Sequence, residues 1–169
     1  MGLLEAWMFR GWPRPAQPAS LTLELAELRL RPFALGAPVR GLAERLGPPA
    51  SYRLLSKRGW WLYPESGLAF EGKDERIIYM GVVAGHPEES LLQDFVSRFR
   101  PFSGQVRLAH GSERISSLRE PLFRELFGEP VEADRDSGEA VLTFRKSGVT
   151  IEAAFMRSGH LKHLAFLTA

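Results

Sequence analysis

One phrase occurs twice in this chain, and it constrains the fold more than any other feature. "GLAERLGPP" (Gly41–Pro49) and "FRELFGEP" (Phe123–Pro130) each read as a short helix stopped by glycine and proline. A shift of 81 residues lays Glu44 on Glu125, Gly47 on Gly128 and Pro49 on Pro130, then Ser66 on Ser147, Gly67 on Gly148 and Glu71 on Glu152. Conservative matches fall between them, among them Leu46 with Phe127, Trp61 with Leu142 and Tyr63 with Phe144. Ahead of the helix, "LRL" (Leu28–Leu30) answers "VRL" (Val106–Leu108) at a slightly different offset. Self-similarity at a fixed period marks a repeated structural unit, so the chain is expected to fold as two copies of one module.

Each copy reads as strand, turn, helix and antiparallel meander. Pro38 and Pro121 suit a first helical turn, where the missing N–H would be unpaired anyway. Val39, Leu42, Ala43 and Leu46 follow the spacing of one buried stripe, as do Leu122, Phe123, Leu126 and Phe127. Gly47 and Gly128 sit where a left-handed cap ends a helix, and the prolines beyond forbid continuation. "WWLYPESGLAF" and "VLTFRKSGVTI" each break into two strand halves around a glycine suited to a tight hairpin. "RIIYMGVV" (Arg76–Val83) and "HLKHLAFL" (His160–Leu167) add a closing strand to each copy.

Between the copies, Leu91, Leu92, Phe95 and Phe99 form a helical stripe with acids at its start and arginines at its end, which complements the helix dipole. Ahead of everything, "SLTLELAELRL" alternates as a strand whose phase changes near Ala26 and Glu27, predicting a bulge or break. The expected fold class is therefore α+β: two tandem modules, each a short helix on an antiparallel β-meander, forming one larger antiparallel sheet with helices on one face. The expected boundaries are a lead-in at 1–20, a first module at 21–83, a connecting helix at 84–105 and a second module at 106–169.

Composition narrows the function classes. At 169 residues, 44% hydrophobic and 25% charged, the chain can bury a core without covalent staples. The net charge of +2 is spread along the chain with no basic block, which argues against nucleic acid as a partner. With no cysteine, disulfides, thiolate metal sites and Cys nucleophiles are excluded. The start, "MGLLEAWMFRGWPRP", lacks the charged and continuous apolar regions of a signal peptide, and no run approaches the length of a membrane span. Leu3, Leu4, Trp7 and Met8 read as one turn packing on the domain. The expectation is a cytoplasmic protein.

Catalytic constellations are weak. In "HLKH", His160 and His163 lie three apart on a predicted strand and point to opposite faces, which disfavours chelation. The adjacent acids Asp74-Glu75, Glu88-Glu89 and Asp134 with Asp136 fall in loops or helix starts, not in the unequal buried environments an acid–base pair needs. "GSERISS" (Gly111–Ser117) lacks the spacing of a phosphate loop or nucleophile elbow, and Ser116 or Ser117 reads as a helix N-cap. No enzymatic activity, cofactor or metal is expected.

Aromatic and basic residues remain. Alternation puts Trp61 and Tyr63 on one face of their strand and Trp60 on the other. The repeat matches Trp61 and Tyr63 to apolar Leu142 and Phe144, so both are expected in the core. Trp60 matches Val141 and is left for an external contact. With Tyr52 upstream and Arg53, Lys57 and Arg58 in what reads as the preceding loop, Trp60 gives the composition of a protein-binding hot spot.

The duplicated module, with its short helix ending in LG-x-P, resembles the tandem-repeat fold of the β-lactamase inhibitor protein. It is similar, too, to small lipoproteins of outer-membrane assembly and to bacterial immunity-type domains. The chain departs from the first two in lacking a signal, disulfides and a lipidated cysteine. The resemblance implies a sheet whose uncovered face is a platform for a protein partner. The expected function is a non-enzymatic bacterial protein-binding module, an immunity or inhibitor protein whose partner is a toxin or enzyme. The alternatives are a structural component of a larger bacterial assembly, and a small-ligand-binding protein or enzyme.

Overall fold

Strands dominate the described residues, and among them the two repeated phrases supply the α-helices. The computed structural model describes residues 10–15, 19–55, 58–84 and 99–168, with the segment 51–55 described through its backbone alone. The order of elements is β1 (Thr22–Glu24), β2 (Arg29–Arg31), α1 (Arg40–Leu46), β3 (Ser51–Leu55), β4 (Arg58–Tyr63), β5 (Leu68–Lys73) and β6 (Arg76–Val83). Then come β7 (Gln105–Leu108), β8 (Gly111–Glu113), α2 (Glu120–Phe127), β9 (Glu132–Arg135), β10 (Glu139–Lys146), β11 (Val149–Met156) and β12 (Leu161–Thr168). The fold is mixed α+β. The expected turn at Leu3–Met8, and the connecting stripe apart from Phe99, lie outside the described residues.

Two sheets form. The larger runs β3-β4-β5-β6-β12-β11-β10-β9 and is antiparallel throughout. Its order reads the same outward from the central β6·β12 seam in both directions. The smaller runs β2-β1-β7-β8, with β1 and β7 parallel. Leu23 of β1 pairs with Leu30 of β2 and Val106 of β7, so three fully or nearly fully buried residues share its inner face.

One hydrophobic core lies between these layers. On the covered face of the large sheet, Phe70, Phe144, Phe155 and Phe166 are fully buried, and Trp61 and Tyr63 are buried beside them. The helices and small sheet close over that face. Phe123 of α2 meets Phe155 edge-on at 5.1 Å, Phe127 meets Phe144, and Phe33 beyond β2 meets Phe70 at 5.1 Å. Each fully buried Phe contributes about 1.5–3 kcal/mol of transfer free energy.

The helix ends match each other closely. Gly47 has φ 75° and ψ −163°, and Gly128 has φ 81° and ψ −157°; the N–H of each bonds the carbonyl four residues back. Both glycines have positive φ, but the expected left-handed cap is replaced by a conformation essentially confined to glycine. At Gly47 the next residue is Pro48, which disfavours a helical ψ before it.

Several expectations need correction. Residues 51–55 form an edge strand, β3, and Arg58 opens β4, where the sequence suggested a loop. β9 is the matching edge on the other side, and all four of its residues are exposed. The phase change at Ala26–Glu27 is a reversal between β1 and β2, with Leu28 at φ 54°. The register sets Val106 of β7 beside Leu23 of β1. Neither Ser116 nor Ser117 caps a helix: α2 starts at Glu120 with Arg119 before it, while the Ser117 hydroxyl sits against Arg114 O at 2.7 Å and the Glu113 carboxylate at 2.8 Å. Leu46 and Phe127 are only partly buried, because each ends its helix, and Leu42 and Phe123 take the fully buried positions.

Phe123→Ala should therefore destabilise the protein by about 3–5 kcal/mol, and Leu46→Ala or Phe127→Ala by about 2 kcal/mol. Denaturant unfolding checks the order. A wild-type midpoint for Phe123→Ala would show that α2 does not pack on the sheet.

Candidate functional site

The large sheet has a second face, and its chemistry differs from the first. Along β4 the buried residues are Gly59, Trp61 and Tyr63, while Trp60 and Leu62 between them are half-buried. On β10 and β11, Val141, Thr143, Thr150, Glu152, Ala154 and Met156 are likewise half-buried, alternating with fully buried core residues. Strand pleating separates the two sets.

Small residues floor the middle of this second face. Ala69 pairs with Gly81, and Gly81 with Ala165 across the seam. The Tyr79 side chain lies over Gly81, where an added Cβ would stand 2.7 Å from the phenol oxygen. Glycine is required there by close approach rather than by dihedral angle. The Tyr79 hydroxyl reaches His163 Nε2 at 3.1 Å, so the two halves of the sheet share a polar contact at their joint. Trp60 packs against Tyr79 in a tilted contact, with ring centroids 5.0 Å apart and ring planes at 57°. Beside them Phe99 packs on Ala69 and Val83, with Leu62 and Tyr79 against the group.

Charges on this face are unevenly partnered. Glu71, 9% exposed, accepts from Arg58 Nη1 at 3.4 Å. Lys162 is buried and ion-pairs with Glu139. A register shift between Ala154 and Phe155 sets Lys162 as the extra residue beside His163. Burial, with Glu152 and then Glu71 nearby, raises the Tyr79 phenol above its ordinary range. Burial and then the Lys162 ammonium lower His163 from 6.5 to about 4, with Glu139 opposing.

Of the five candidate contact residues, Trp60 and Arg58 lie on this face, Trp60 half-buried and Arg58 exposed. The register sets Arg53 opposite Trp60 but Tyr52 opposite Trp61, so Tyr52 occupies a row of the other face. Lys57 lies outside the described residues. The Tyr79–His163 contact was missed because its two residues are far apart in sequence. Their strand positions give it away: each is the first residue after an irregularity in its closing strand.

Other chemistry is sparse among the described residues. No group of three or more His, Asp or Glu side chains is placed to hold a metal. No helix is long and apolar enough to cross a membrane. A cleft of about 530 Å³ lies between the Gly11–Pro13 stretch and α1, lined by Trp12, Pro38, Val39 and the ion pair Arg40–Glu44. It brings no nucleophile and base together.

The shift at His163 makes stability depend on pH. The folded state resists protonation until about 4, whereas the unfolded chain takes up the proton near 6.5. Stability is thus full above 6.5 and is lost as pH falls from there towards 4, by about 3 kcal/mol. Thermal unfolding across that window should show a shallower slope for His163→Gln than for wild type. Equal slopes would mean that the imidazole protonates freely in the folded protein.

No protein-family model and no curated protein matches the chain. Among solved structures, a DUF4309 family protein, YjgB, from Bacillus subtilis aligns over 83% of this chain and 84% of its own, with a TM-score of 0.50 at 6% sequence identity. At that identity the likeness is one of fold: the arrangement of strands and helices described above has a counterpart of nearly the same extent.

Proposed function

We propose that this is a non-enzymatic protein-binding module of two tandem units, engaging its partner through the second face of the large sheet, away from the helices. The observation behind this reading is the contrast between the two faces. One is a dry core under helices and a second sheet. The other offers half-buried Trp60, Leu62, Val141 and Met156 around a small-residue floor. Large side chains on a pre-formed sheet lose little conformational freedom on binding, and Trp and Arg are enriched where binding energy concentrates.

The duplication reading draws support from register. Trp60 and Val141, 81 residues apart, each stand opposite the next strand at equivalent places, beside Glu71 and Ala154. Tyr79 and His163, 84 apart, exchange places across the seam, since Tyr79 faces Leu167 and His163 faces Val83. The irregularities also correspond, with Ile78 the extra residue in one half and Lys162 in the other. The spacing grows because Val141 and its partner Ala154 are two residues further apart than Trp60 and Glu71, so that by register Glu71 answers to Ala154 and not to Glu152 as the 81-residue shift has it.

Within this reading the protein works in the cytoplasm of a bacterium as an immunity or inhibitor protein against a toxin or enzyme, in the manner of the β-lactamase inhibitor protein. A structural role in a larger assembly would use the same face. Affinity capture from the native host, with wild-type and Trp60→Ala baits, tests it. Trp60→Ala should weaken partner binding by about 2 kcal/mol or more. It should remain folded, giving up the Tyr79 contact at about 0.5–1.5 kcal/mol. A folded variant that retains its partner fully would remove Trp60 from the interface.

A further inference from the structure

We infer that the outer face of the four-stranded sheet is an oxyanion-binding site, built on two arginines that one buried carboxylate holds together. Its inner face is apolar, so alternation turns Thr22 and Glu24 of β1, Arg29 and Arg31 of β2, and Gln105 and Arg107 of β7 outward. Glu24 is the exception to their exposure: its side chain is 4% accessible although it belongs to the outward row.

The arginines account for that burial. Arg31 Nε donates to one oxygen of Glu24 at 2.6 Å and Arg107 Nη1 to the other at 3.3 Å, from the strands on either side. An unpaired buried carboxylate is strongly unfavourable, and one guanidinium suffices to neutralise it. A second guanidinium leaves the group with a net positive charge.

That surplus charge faces solvent. The two arginine side chains are 57% and 59% exposed. Each guanidinium has five N–H donors in a planar fork. Among the described residues, no hydrogen bond other than the one to Glu24 engages either fork. Glu24 thus holds both guanidinium groups at one carboxylate, with their remaining donors unspent. Thr22 stands between Arg31 and Gln105 in the adjoining row, adding a hydroxyl and an amide to the same patch.

Two guanidinium forks held at one carboxylate suit the paired oxygens of a phosphate or carboxylate, because ordering two long side chains in advance removes part of the entropic penalty of binding. The site lies on the small sheet, away from the Trp60 face, and does not depend on how that face is used. The oxyanion is carried either by a phosphorylated molecule or by a carboxylate, and both present the same geometry to the forks.

Titration of the labelled full-length protein separates these cases. The probes are inorganic phosphate and acetate, each compared with chloride at equal ionic strength and neutral pH, reading the Nε–Hε resonances of Arg31 and Arg107 and the amides of Thr22 and Gln105. Saturable shifts with phosphate or acetate beyond those with chloride are expected, and whichever probe saturates names the source. The double variant Arg31→Gln/Arg107→Gln should weaken that binding about tenfold or more. Arg31→Lys/Arg107→Lys keeps both charges on Glu24, and with them the fold, yet should still weaken binding several-fold by losing the fork. Shifts that stay linear and equal to those with chloride, or an affinity unchanged in the folded lysine variant, would overturn the inference.

Discussion

The pairing of β6 with β12 is the contact on which the rest of the molecule depends. It runs from His163 opposite Val83 to Leu167 opposite Tyr79 and joins two four-stranded meanders into one sheet. Without it, two strands with unpaired backbone groups and apolar faces would be open to association. Met80 and Val82 from one half share the covered face with Leu164 and Phe166 from the other, all fully buried, so the core is continuous across the seam. Backbone hydrogen bonding and apolar burial therefore act together there.

The seam also sets the character of the opposite face. Gly81 and Ala165 face each other there, leaving no side chain to fill the middle. The Tyr79 ring lies across the gap to reach His163. A polar link at the joint of two halves resists sliding, because a shift by one residue would move every side chain to the other face. That face is consequently lined by small residues at its centre, while larger side chains stand along the strands to either side. The small sheet repeats the principle with charge: Glu24 gathers one arginine from each half, tying the two halves together a second time.

Where the sequence reading faltered, the cause was local. β3 and β9 are edge strands, and edges tend to be short and polar to discourage further pairing, which erases the alternation that would reveal them. In β9 the residues Glu-Ala-Asp-Arg carry no apolar face at all. Tyr52 stood near Trp60 in the chain, but the register of β3 on β4 separates the two by a face.

Periodicity, punctuation and the repeat alone determined the helix–stop phrases, the hairpin glycines, the closing strands and the burial of Trp61 and Tyr63 on the face of β4 opposite Trp60. These are local matters, decided by steric limits on glycine and proline and by the two-residue repeat of a strand. Only the tertiary structure decided which strands are neighbours, that a second sheet exists, and that Tyr79 meets His163 and Arg31 meets Arg107 on one carboxylate. Those contacts join residues about 80 positions apart, through strand pairing whose register depends on the whole core. A pairwise contact at that distance leaves no periodic trace in a single sequence. The chain thus announces its repeated parts, and packing alone specifies the surfaces those parts make together.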